Sequence, residues 1–119
     1  MEITEEIEVL REVAEQFKAG KGDFHWAYIS GALGDYSAGY IAKAFYGSLD
    51  AAKALHEELL SDEWTAQVTV QITVWGPGNE CRCQLSTLVY EPIEVRNKCP
   101  ARAWLIAIVR AQIAELEAS

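Results

Sequence analysis

The side chains that could do chemistry are few and far apart. Cys81, Cys83 and Cys99, with His25 and His56, supply the sulfur and nitrogen donors that zinc prefers. Zinc sites usually leave two to four residues between paired cysteines, whereas Cys81-Arg82-Cys83 leaves one. That spacing is the period of a strand, so both thiols share one face and read as small buried apolar groups. A cysteine beside a histidine is also the smallest nucleophilic pair. His56, however, lies at the edge of an apolar helical stripe and His25 among aromatics. There is no Gly-x-Ser-x-Gly. Neither Ala19-Gly20-Lys21-Gly22 nor the spacing of Gly31, Gly34 and Gly39 matches a phosphate loop or a dinucleotide fingerprint. No catalytic residue, metal or cofactor is expected, and the chain reads as a non-enzyme.

Carboxylates are the abundant chemistry. Eighteen acidic residues against ten basic ones give a net charge of −8 over 119 residues. Nucleic acids and anionic lipids need a basic footprint, so neither is an expected partner. At helical spacing Glu5, Glu8, Glu12 and Glu15 form one row, and Glu57, Glu58, Asp62 and Glu63 a second. The plain reading of such rows is two solvated helix faces. The sharper one is a surface that imitates a nucleic-acid backbone and occupies the basic surface of another protein. Trp26, Tyr28 and Tyr36, in an aromatic, glycine-rich stretch, are candidate interface anchors beside it. The same rings could stack on a nucleotide, which is the small-molecule alternative.

The elements that hold these residues follow from periodicity. Ile3, Ile7, Leu10, Val13, Ala14 and Phe17 predict a helix over 3–18, with Thr4 as its cap and Gly20 as its stop. Residues 24–29 could form an edge strand, 30–39 are irregular, and 40–46 fit either a strand or a helical turn. Ser48 caps a helix over 49–60 whose apolar stripe is Leu49, Ala52, Leu55, Leu59 and Leu60, with Lys53 and Glu57 spaced to pair. Strict alternation of Val68, Val70, Ile72 and Val74 with Thr69, Gln71 and Thr73, then of Cys81, Cys83 and Leu85 with Arg82, Gln84 and Ser86, predicts a β-hairpin, 66–75 with 80–90. Residues 91–98 read as a polar connection. Pro100 opens a last helix to 116 that is apolar over most of its circumference, so it must be covered on more than one side. Its large residues suit the dry face of the hairpin. Its alanines, Ala103, Ala107, Ala111 and Ala114, suit close approach of another helix, within the chain or across a homodimer through this C-terminal helix.

The expected fold is therefore α+β: a short antiparallel sheet packed with three helices in a two- or three-layer sandwich, one domain over 1–119. Three cysteines make an odd number, and the acidic start resembles no leader peptide, so a reduced, cytoplasmic setting without a membrane span is expected.

The run Phe45-Tyr46-Gly47-Ser48-Leu49-Asp50-Ala51-Ala52-Lys53-Ala54-Leu55, then Trp64 before a strand pair, then Pro100-Ala101-Arg102-Ala103-Trp104-Leu105, resembles the phage ABA sandwich family of small phage and prophage proteins. The likeness covers about residues 40–115, with Cys99 where that family tends to carry threonine. It implies helices about a small antiparallel sheet and a phage accessory protein, with no activity to carry over. Together with the acidic surface it gives the leading expectation: binding of a host protein, as an anti-defence, anti-CRISPR-like inhibitor would. A homodimeric assembly protein is the alternative.

Overall fold

The computed structural model describes residues 3–19, 38–60, 64–71, 80–88 and 90–118. Four helices and three strands follow in the order α1 (Ile3–Ala19), α2 (Ala38–Phe45), α3 (Leu49–Leu59), β1 (Thr65–Gln71), β2 (Glu80–Ser86), β3 (Ile93–Asn97) and α4 (Pro100–Ala118). The fold class is α+β, with one helix more than the expected three.

Leu10, Val13, Ala14 and Phe17 recur at three- and four-residue intervals, which sets them on one side of α1, and all four are buried. Glu5 and Glu6 in the first turn and Lys18 in the last fit the helix dipole. Ile3 is already helical, so Thr4 lies inside the first turn rather than capping it. Gly20 and the possible strand at 24–29 lie outside the described residues. The stretch left open between strand and turn is α2, which buries Ile41, Ala44 and Phe45.

A single turn both stops α2 and starts α3. The Gly47 amide donates to the Ala44 carbonyl (3.0 Å) and the Ser48 amide to the Lys43 carbonyl (2.9 Å), a Schellman motif. Gly47 has φ +112°, a backbone that a side chain would strain. Ser48 Oγ then accepts the Ala51 amide (3.2 Å), the N-cap expected of it. The last carbonyl of α2 is taken by Arg102, whose Nε and Nη2 donate to Phe45 O at 3.3 and 3.0 Å while its guanidinium lies 3.9 Å from the Phe45 ring centroid. Arg102 is thus a clamp between α4 and α2.

The strands form one antiparallel sheet in the order β1-β2-β3. Val68 pairs with Cys83 and Val70 with Cys81, which keeps the two alternations in phase, and Gln71 rather than Trp75 stands opposite Glu80; Ile72 and Val74 lie outside the described residues. The hairpin's second arm ends at Ser86, short of the expected 90, and Leu88 is fully exposed. The supposed polar connection at 91–98 contains β3, which sets Val95 against Cys83 and Ile93 against Leu85. Two apolar residues in five, directly after Pro92, are too short an alternation to stand out. Arg82 and Arg96 sit directly opposite each other on the polar face, with Glu94 bonded to Arg82 (3.2 Å) and 3.8 Å from Arg96. These exposed pairs offset like-charge repulsion and contribute at most about 1 kcal/mol.

α4 packs against every other described element: the sheet, chiefly β2 and β3, and each of the three other helices. Leu105, Ile106, Ile108 and Val109 are buried, and so are Ala101, Ala103, Ala107 and Ala111. Each large side chain buried this way stabilises the fold by about 1.5–3 kcal/mol before entropy is counted. Of the alanine stripe that suggested either a neighbouring helix or a dimer, Ala103, Ala107 and Ala111 are buried within the chain and Ala114 is partly exposed. At the start of α4, Asn97 Oδ1 accepts the Cys99 amide (3.0 Å) and Cys99 O accepts the Ala103 amide (3.0 Å). Among the described residues no helix is long and apolar enough to cross a membrane.

Candidate functional site

The thiols sit where a thiolate is disfavoured. Cys81 and Cys83 are buried on the inner face of β2. Burial, with a smaller contribution from nearby Cys99, raises the Cys81 thiol, and burial pushes the Cys83 thiol up to about 12. Cys81 Sγ donates weakly to Lys98 O at 3.5 Å. Among the described residues no three of His, Cys, Asp and Glu converge as metal ligands.

His56 has both ring nitrogens engaged. The Trp104 indole N–H can only donate, so His56 Nδ1 accepts it (3.3 Å). The ring proton is then on Nε2 and donates to Trp64 O (3.0 Å). Trp64, itself buried, donates its indole N–H to Glu115 (2.7 Å) and stacks on Tyr90 with ring planes 2° apart. The cluster ties the end of α3 and the start of β1 to α4. With no lone pair to spare on His56, this arrangement positions elements rather than moving protons. His25 lies outside the described residues.

The carboxylate rows fall on two helices that each lean on α4. Glu5, Glu8, Glu12 and Glu15 are exposed along α1, opposite its buried stripe, and Glu57 and Glu58 are exposed on α3. Asp62 and Glu63, and the aromatic candidates Trp26, Tyr28 and Tyr36, lie outside the described residues. Lys53 and Glu57 share a stripe of α3 without forming an ion pair.

Exposed apolar side chains gather elsewhere, at the α2–α3 corner. Tyr46 is 73% exposed, Leu49 42% and Tyr40 37%. Leu49, expected in the buried stripe of α3, faces outward instead: Ala51, Ala52 and Leu55 fill that stripe. Tyr46 stands edge-on to Phe45, centroids 5.2 Å apart and planes at 85°, so its ring is braced as well as its backbone. Leu49, Asp50, Lys53 and Glu57 continue from it along one exposed side of α3. Aromatic and acidic groups thus meet on one rigid element. The signal in the sequence was Gly47-Ser48, a helix stop followed at once by a helix start, which leaves the residues on either side at a bend.

No family model, no curated protein and no solved structure matches this chain. The likeness to the phage ABA sandwich family rests on its residues alone.

Proposed function

We propose that this is a non-enzymatic binding protein that docks on a basic surface of another protein through the α2–α3 corner. Tyr46 and Leu49 supply the anchor, and Asp50, Glu57 and Glu58 the acidic flank. The single observation that carries this reading is the exposed Tyr46 ring on a turn whose backbone is fully braced by the Schellman bonds, the Ser48 cap and Arg102. An aromatic side chain held in place loses little entropy on binding, and such residues dominate interface energies. The row on α1, Glu5, Glu8, Glu12 and Glu15, adds long-range attraction to the same kind of partner, acting mainly on association rate.

In its most concrete form the partner is a bacterial host protein met in the host cytoplasm, and the protein is a phage accessory factor that blocks a nucleic-acid-binding defence effector. The resemblance to small phage proteins and the acidic surface support this form. The test is capture of host proteins on the immobilised chain, repeated with Tyr46→Ala, with plaque assays on defended and undefended strains. A partner lost with Tyr46→Ala and released by salt, together with protection only on defended strains, is the expected result. Capture that ignores both Tyr46 and salt, or no protection, defeats the proposal.

A further inference from the structure

All five arginines are described, and four have partners. Arg11 pairs with Glu117, Arg82 and Arg96 with Glu94, and Arg102 with the Phe45 carbonyl. Arg110, half-buried, has neither an ion pair nor a hydrogen bond among the described residues, although the chain carries eighteen carboxylates. None of its guanidinium nitrogens is a buried unpartnered atom, so they stay within reach of solvent and of an incoming anion.

Its surroundings have a definite chemistry. A groove of about 430 Å³ between α1 and α4 is lined by Arg11, Ala14, Glu15, Arg110 and Ile113. Ala14 and Ile113, 7% and 9% exposed, give it an apolar floor. The size falls in the range of small-molecule sites, roughly 300–1,000 Å³. Among the described lining residues, Arg11 and Arg110 stand beside Glu15, and the charge of Arg11 is already balanced by Glu117. Because Arg11 is already committed to Glu117, Arg110 is the group left to take an anion.

We propose that this groove binds a small organic monocarboxylate, its two oxygens on the planar fork of Arg110 and its aliphatic or aromatic body on Ala14 and Ile113. The fork matches a carboxylate bidentately, which a lysine could not do, and the floor favours a body of a few carbons over acetate. The site is independent of the α2–α3 corner and of the partner proposed for it.

Hexanoate and 3-phenylpropionate are the probes, with hexanamide and hexylamine as matched neutral and cationic controls. Binding is read from the methyl resonances of Ala14 and Ile113 in the full chain. Saturable shifts at both methyls with either acid are expected, together with at least tenfold weaker binding of hexanamide. Arg110→Gln should weaken hexanoate at least tenfold, while Arg96→Gln, on the outer face of the sheet, leaves it unchanged. Both substitutions fall on partly exposed side chains, and retained methyl dispersion certifies the fold. Equal binding of hexanamide, no change with Arg110→Gln, an equal loss with Arg96→Gln, or shifts that avoid Ala14 and Ile113 would each overturn the assignment.

Discussion

The two ends of α3 are built from similar materials and turned to opposite uses. At its C-terminal end two tryptophans, a histidine and a glutamate spend their polar atoms on one another, Trp64 on Glu115 and His56 on Trp64 and Trp104, while Tyr90 stacks on Trp64. At its N-terminal end the backbone is satisfied just as fully, by the Gly47–Ser48 turn and Arg102, but Tyr46 and Leu49 are left in water. Saturated polar atoms hold a fold together and offer nothing to a partner. Braced backbone carrying exposed apolar side chains offers contact area at low entropic cost. The same residue types thus mean structure at one end and a surface at the other, and only their surroundings tell them apart.

The largest expected effect comes from breaking the inward end. Trp64→Ala opens a cavity beside Tyr90 and leaves Glu115 without its donor, so it should cost about 3–5 kcal/mol, read as a lower urea midpoint. Cys83, on the inner face of β2, extends the inward class to the sheet. Its thiol is raised to about 12 when folded, above its ordinary value of 9.0. Between those values the unfolded chain has lost a proton that the folded chain keeps. The associated stability is full below about pH 9 and declines as pH rises toward 12, by at most about 1.4 kcal/mol per pH unit. Urea midpoints from pH 8 to 11 should fall in the native protein and fall less in Cys83→Ala.

The outward end should answer differently. Gly47→Ala strains a backbone at φ +112° and should cost about 1–3 kcal/mol, although the added Cβ meets nothing nearer than Cys99 Sγ at 4.0 Å. Ser48→Ala removes the cap for about 1 kcal/mol. Tyr46→Ala should move stability by no more than about 0.5 kcal/mol while abolishing partner capture. A large stability loss from Tyr46→Ala, or a negligible one from Trp64→Ala, would erase the distinction between the two ends.

Where a pattern is local and periodic, the chain could be read directly. The stripe of Leu10, Val13, Ala14 and Phe17, the alternation through Cys81, Cys83 and Leu85, Ser48 as a cap and Pro100 as a helix opening all correspond to structure. β3 escaped because Ile93 and Val95 are a strand only in the company of β2, whose Leu85 and Cys83 they oppose. The candidate surface was half legible. The exposed glutamates of α1 follow from the position of its apolar stripe, but nothing local distinguishes Leu49, which faces water, from Leu55, which is buried. Arg102 and Arg110 differ by eight residues on one helix and look alike in sequence, yet one clamps Phe45 and the other faces a groove.

By itself the sequence determined the charge, the positions of the main helices, the existence of the hairpin and the need to cover α4 on several sides. Those depend on side-chain period and on residue-specific turn and cap chemistry, which act over a few residues. Only tertiary structure decided which elements cover α4, that Ala103, Ala107 and Ala111 are buried within the chain, that His56 is saturated, and that Tyr46 and Leu49 stay outside. Each of those depends on which distant side chain arrives at a given place, and that is settled by the packing of the whole rather than by any segment of it.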